Sequence, residues 1–269
     1  MWRASEEQAP ETEALLDVRG RVVVITGACG LIGRELVARF IDRKAQLVIV
    51  DVESAHPEQL AQQVGHGAIG VVADVSEASD VERVVATVLE SLGRVDVLVN
   101  NHQYKPQGFL EARPETFPEE LWDAVINVNL KGTFLTCRDF GAQMLHQGRG
   151  SIINFASTYG VVSSNPSLYV GNSLGNPLAY SASKGGVVML TKYLGAYWAG
   201  RGVRVNAVTP HGVWNHHEAG FVERFSSMSP MRRLSRAHEV FGAVLYLASD
   251  ASSYVTGSNL LVDGGWTAW

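Results

Sequence analysis

The sequence predicts an α/β fold in which a parallel sheet is doubly wound, with helices on both faces. Three observations carry this. Short β-branched runs alternate with amphipathic helical stretches from about residue 18 to the end. The first such run flows directly into a glycine-rich turn and a helix. No linker, repeat or low-complexity tract divides the chain, and 269 residues, 46% of them hydrophobic, can fill a single core. Right-handed crossovers bring the strand ends to one edge, where ligands bind in such sheets.

Residues 1 to about 17 are polar and acidic and are expected to form a mobile tail before one domain spanning 18–269. They contain no apolar segment of the signal-peptide kind. The run Val22-Val23-Val24-Ile25 suits a strand buried on both faces. The turn Thr26-Gly27-Ala28-Cys29-Gly30-Leu31-Ile32-Gly33 and a helix over Arg34–Lys44 follow. Glycines admit a pyrophosphate close to the backbone, and the free N–H groups of a helix start receive it. The turn residues Gly27, Cys29, Gly30, Leu31, Ile32 and Gly33 are therefore candidate dinucleotide contacts.

The second strand, Gln46–Val50, ends at Asp51. An acid here accepts hydrogen bonds from both ribose hydroxyls of an adenosine and repels a 2′-phosphate. NAD is thus expected as cofactor in preference to NADP. Further strands are read at 68–73, 95–99, 151–155, 203–208 and 259–262. Helices are read at 77–92, 118–145, 179–198 and 237–249. Tyr180 and Lys184 lie one turn apart on the 179–198 helix. At ~4 Å and an effective dielectric of ~20, an ammonium favours the phenolate by about 4 kcal/mol. That would lower the phenol pKa by up to roughly 3 units, towards neutrality. Such a group suits proton exchange with an alcohol or a carbonyl.

A net charge of −5 speaks against nucleic-acid binding. No apolar run is long enough for a membrane span. Cys29 and Cys137 are too few for a disulfide framework or a zinc site. His211, His216 and His217 lack an acidic partner pattern, so no metal is expected. The cytoplasm is the expected compartment.

Taken together these residues resemble the classical short-chain dehydrogenase/reductase family over about 18–265. The resemblance rests on the glycine turn, Asp74, Asn100-Asn101, Asn127-Val128-Asn129-Leu130, Ser157, Tyr180-Ser181-Ala182-Ser183-Lys184, Asn206-Ala207-Val208-Thr209-Pro210 and Asp263-Gly264-Gly265. It implies a Rossmann-type fold and an oxidoreductase in which Tyr180 is the general acid/base. Lys184 would lower the tyrosine's pKa and hold the nicotinamide ribose, and Ser157 would hydrogen-bond the reacting oxygen. Asn129 would steady a proton-relaying water chain. Asp74 and Val75 would contact the adenine, Asn100 would lie beside the cofactor, and Pro210 and Val213 would hold the nicotinamide end. The family's usual homotetramers, or a dimer, would be the assembly.

Departures point to the substrate. Gly27, Gly30 and Gly33 follow a G-x-x-G-x-x-G spacing, commoner in the extended branch of the family. His102-Gln103 replaces the usual alanine-glycine. The insertion Val162–Asn176, carrying Tyr169, is expected as one substrate loop over about 160–177, with 211–226 as the opposing flap. His102, Ser157, Tyr169, His211 and Trp214 are the candidate substrate contacts. Hydrogen-bonding groups and aromatics suit a hydroxylated small molecule, a sugar or polyol. The insertion, flap and Gly-Gly-Trp-Thr-Ala-Trp ending resemble a subgroup associated with surface-polysaccharide and nonulosonic-acid pathways. The two terminal indoles are expected either on their own subunit or at a subunit contact. The alternatives are a 3-oxoacyl-carrier reductase using NADPH and a non-catalytic nucleotide-sensing regulator.

Overall fold

The computed structural model describes residues 11–108, 112–169 and 177–269. Strand β1 (Val22–Thr26) is buried along its whole length. It pairs in parallel with β2 (Gln46–Asp51) on one side and β4 (Val97–Asn100) on the other. Adding β3 (Ile69–Val72), β5 (Gly150–Phe155), β6 (Val203–Pro210) and β7 (Asn259–Val262) gives a seven-stranded sheet. Its order is β3-β2-β1-β4-β5-β6-β7, and every pairing is parallel. The register aligns Thr26 with Asn100, and Asn100 with Asn154, so Asp51, Thr26, Asn100 and Asn154 mark one edge. The doubly wound α/β fold read from the sequence is the fold observed.

Apolar faces of helices cover both sides. One core joins β1, β2 and β5 to Leu36, Val37 and Phe40 of α2 (Leu31–Asp42). It also takes in Val240, Val244 and Leu247 of the helix Ala237–Ala248. Phe40 and Phe241 meet edge to face at 5.3 Å across it. The second core sets Val84 and Val88 of α4 (Ala78–Leu92) beside Phe140 and Met144, under Val24, Val48 and Ile152. Burying one such side chain stabilises the fold by roughly 1.5–3 kcal/mol.

Three elements differ from expectation. Thr12–Leu15, α1, forms a helical turn within the stretch read as tail, and the following Val18 is fully buried. Residues 1–10 lie outside the described residues. The chain also forms α3 (Pro57–Val64), a short polar helix whose buried face is Pro57, Leu60 and Ala61. Third, the helix read at 118–145 is α5 (Glu119–Ile126) and α6 (Thr133–Gln147) around a π-helical segment, Asn127–Gly132. π-Segments inside α-helices recur at functional sites. Among the described residues no helix is long and apolar enough to cross a membrane.

Candidate active site

A cavity of about 590 Å³ opens along the strand-end edge. Its glycine-turn end is lined by Gly27, Cys29, Gly30, Leu31, Ile32 and Asp51. Gly27 has φ +61, and a Cβ there would stand 2.6 Å from His102 Cα; a Cβ on Gly33 would stand 2.4 Å from the Gly27 carbonyl oxygen. These two positions need glycine because backbone crosses backbone at the foot of α2. No side chain caps α2, which leaves N–H groups of its first turn for an anion. Asp51 takes hydrogen bonds from the Cys29 amide at 2.8 Å and the Val52 amide at 2.9 Å. Each carboxylate oxygen keeps a lone pair for another donor. Turn, helix start and acid fit the phosphates and ribose of a dinucleotide. Burial and the Asp51 charge push the Cys29 thiol up to about 11.

The other end of the cavity gathers Ser157, Tyr159, Tyr169, Tyr180, Lys184, Pro210 and Val213. Tyr180 and Lys184 sit in the first two turns of α7 (Leu178–Trp198), and Ser157 follows β5. The Lys184 ammonium donates to the Phe155 carbonyl at 2.7 Å and stands 5.7 Å from the Tyr180 ring centroid. The charge balance inverts the expectation drawn from spacing. Burial raises the Tyr180 phenol above 10, opposed by a hydrogen bond from Ser157 and reinforced by Tyr159. Burial, with Lys105 adding to it, brings Lys184 down to about 7. Desolvation outweighs mutual attraction here because the ammonium is buried and faces the Phe155 carbonyl and the ring.

Asn129 sits in the π-segment, fully buried. Its Oδ1 accepts from the Tyr104 amide at 2.7 Å, and its Nδ2 donates to Ser183 Oγ at 3.2 Å. The amide that the resemblance assigns to a water chain is thus engaged at both ends by protein, tying α5–α6 to α7 and to the loop after β4. Asn100 also corrects expectation. Its side chain enters the interior, donating to Asn154 Oδ1 at 2.9 Å, and the neighbouring Asn101 lines the cavity and donates to the Gly27 carbonyl at 2.7 Å. Asp74 turns to Ser76, accepting from its amide and hydroxyl. Val75 is buried against Val81 and Leu135. Neither borders the cavity.

Two proposed substrate contacts lie elsewhere. His102 is buried between Thr26 (2.7 Å) and Thr133 (3.2 Å), and burial takes its pKa down to about 3, so it is a neutral packing group. Trp214 is 46% exposed, packs at a tilt against His216 and does not line the cavity. Tyr169 does line it, with its hydroxyl 2.6 Å from that of Tyr159. Burial raises the pKa of both phenols. His211 lines it as well, hydrogen-bonded to Thr158 and packed against Phe225 and Trp266 at 4.6 and 4.2 Å. Burial lowers this histidine to about 4. The flap read at 211–226 contains a helix, α8 (Ala219–Met228), whose Phe221 and Phe225 pack with Leu168. Residues 170–176 of the insertion lie outside the described residues. Trp266 packs against His211 and Phe225, and Trp269 is exposed.

Sequence reasoning missed Asn101, Tyr159 and Lys105. Only Asn101, adjacent to the named Asn100, carried a readable signal. Lys105 stands 5.5 Å over the Tyr180 ring at the cavity wall.

The family described as enoyl-(acyl carrier protein) reductase matches residues 27–267. The chain belongs to the short-chain dehydrogenase/reductase family. It is 34% identical to the D-threitol dehydrogenase of Mycolicibacterium smegmatis, over 97% of this chain and 98% of that one. It is 37% identical to the galactitol 2-dehydrogenase (L-tagatose-forming) of Cereibacter sphaeroides, over 93% and 96%. The crystal structure of a gluconate 5-dehydrogenase from Burkholderia cenocepacia, in complex with NADP and tartrate, superposes with a TM-score of 0.85. That pair is 29% identical, covering 95% of this chain and 98% of the other. This short-chain dehydrogenase is therefore an oxidoreductase acting on CH–OH groups.

Proposed function

We propose that the protein is an NAD(H)-dependent oxidoreductase interconverting a secondary alcohol and a ketone on a sugar, polyol or sugar-derived substrate. One observation carries the reading: Ser157, Tyr180 and Lys184 border the same cavity as the glycine turn and Asp51. When bound, the nicotinamide supplies the hydride chemistry. The remaining work belongs to the chain.

Gly27, Gly30 and the first turn of α2 hold the pyrophosphate, and Asp51 takes the ribose hydroxyls. Val213 and Pro210 flank the nicotinamide end. Ser157 donates to the reacting oxygen and fixes its position. Tyr180 takes the hydroxyl proton in oxidation and returns it to the carbonyl oxygen in reduction. Lys184, fixed by the Phe155 carbonyl, stands beside the phenol and favours its ionised form when charged. Asn129 keeps the second turn of α7 in place through Ser183. Tyr159, Tyr169 and His217 give the substrate end hydrogen-bonding partners.

Threitol and galactitol are the substrates of relatives at 34% and 37% identity, which makes free polyols the first panel to try and nonulosonic-acid precursors the second. A homo-oligomer, a tetramer or a dimer, accords with an exposed apolar stripe on α7. Met189, Tyr193 and Tyr197 are each more than 60% exposed at helical spacing. The cytoplasm suits two free thiols.

The test is reduction of NAD or NADP by polyols and sugars, and oxidation of NADH or NADPH by 3-oxoacyl substrates. Turnover of a polyol with NAD supports the reading. NADPH with an acyl substrate would establish the 3-oxoacyl reductase instead. Tight NAD binding with no turnover anywhere would favour a nucleotide sensor.

A further inference from the structure

Two ammonium groups stand near the Tyr180 ring, and only one is accounted for. Lys184 donates to the Phe155 carbonyl. Lys105, with its Nζ 5.5 Å from the same ring, forms no hydrogen bond or ion pair among the described residues. Among the described residues that line the cavity, the one carboxylate is Asp51, at the glycine-turn end. Gln103, Asn215 and His217, which line the same cavity, carry no carboxylate. Lys105 also bears on His217, holding its pKa down together with burial.

The position of Lys105 is built. The preceding residue, Tyr104, donates its amide to Asn129 Oδ1 at 2.7 Å, and Asn129 is itself bonded to Ser183 of α7. The loop after β4 is thereby fastened to the helix that carries Tyr180. Lys105 is exposed at the cavity wall, within reach of a ligand that enters from solvent. An ammonium on a cavity wall with no counter-ion among the described residues gains from an anion delivered by a ligand.

We propose that Lys105 determines specificity by pairing with an anionic group on the substrate. The preferred substrate is then an acidic polyol, a sugar acid or a phosphorylated polyol, and not a neutral one. This rests on the alcohol-oxidation reading and sharpens it. A carboxylate and a phosphate monoester share the chemistry Lys105 recognises, since a lysine contacts either as a point charge.

The test compares D-glucitol, D-gluconate and D-glucitol 6-phosphate, matched in carbon skeleton, for binding to the NAD-loaded enzyme by calorimetry. Wild type, Lys105→Met and Lys105→Arg are measured at low and moderate salt. At least one anion should bind wild type about 10- to 100-fold more tightly than glucitol, and that ratio should shrink as salt rises. Lys105→Met should bring the ratio within about 3-fold of unity, and Lys105→Arg should preserve most of it. Whichever anion leads identifies the group. Glucitol binding as well as both anions, or an anion preference that survives Lys105→Met or is insensitive to salt, overturns the proposal. Turnover is scored separately. Oxidation of glucitol without anion preference removes this inference and leaves the dehydrogenase reading. An anion preference lost in Lys105→Met with no oxidation does the reverse.

Discussion

Replacing Asp51 with serine should move the enzyme from NAD towards NADP, and the structure sets the size of the change. The carboxylate is fixed by the Cys29 and Val52 amides at 2.8 and 2.9 Å, so it cannot easily swing aside. A 2′-phosphate carries about −1.5 charges. At ~5 Å and an effective dielectric of ~40, between water and a protein surface, its repulsion by one carboxylate is about 2.5 kcal/mol. That is roughly 60-fold in affinity. Charge-assisted hydrogen bonds to the ribose hydroxyls contribute about 1.5–3 kcal/mol in favour of NAD. Serine retains a donor and acceptor but loses the charge, so kcat/KM for NAD should fall about tenfold while that for NADP rises. The ratio of kcat/KM values, taken with each dinucleotide at a saturating polyol concentration, should shift by at least about 100-fold. A shift below about 3-fold, or a wild type that already prefers NADP, would refute the reasoning.

Three further outcomes follow from the same geometry. Gly33→Ala sets a Cβ against backbone that has no side chain to move, 2.4 Å from the Gly27 oxygen. It should lower stability by about 1–3 kcal/mol and weaken NAD binding more than tenfold, read by thermal melting and equilibrium titration. Lys184 has its folded pKa lowered to about 7, below the unfolded value, so its burial cost is fully present below pH 7 and vanishes as pH rises towards 10.5. The melting temperature of ligand-free Lys184→Met, minus that of wild type, should therefore fall steadily from pH 6 to pH 10; a difference independent of pH would contradict the desolvation argument. Placing glutamates at Met189 and Tyr193 should reduce the mass measured by light scattering, and an unchanged mass would show that the α7 stripe is not a subunit contact.

Much of the sheet was legible because parallel strands buried on both faces announce themselves as uninterrupted β-branched runs. Val22–Thr26, buried at every position, is the example. Helix-to-helix detail was less so. The π-helical segment Asn127–Gly132 is a local change in backbone hydrogen bonding inside one helical stretch, which side-chain pattern reading does not resolve. Helix α8 was taken for flap because its two buried phenylalanines serve a small satellite core under a loop, not the main one. At the site, the glycine turn, Asp51, Ser157, Tyr180 and Lys184 were readable as local motifs, and the structure brings them to one cavity. His102 was not, since its neutral role depends on Thr26 and Thr133, one on β1 and one on α6. The expected lowering of Tyr180 failed for a related reason. Helical spacing gives the separation of two charges but says nothing of the burial that opposes both.

The most direct measurement for the account is the rate of NAD reduction by a polyol substrate in wild type and Tyr180→Phe, with dinucleotide affinity measured alongside. The phenol is assigned the proton transfer, so the variant should lose about 10²- to 10⁴-fold in kcat while still binding NAD. A Tyr180→Phe enzyme within tenfold of wild type would mean that another group moves the proton and that the assignment of this site is wrong.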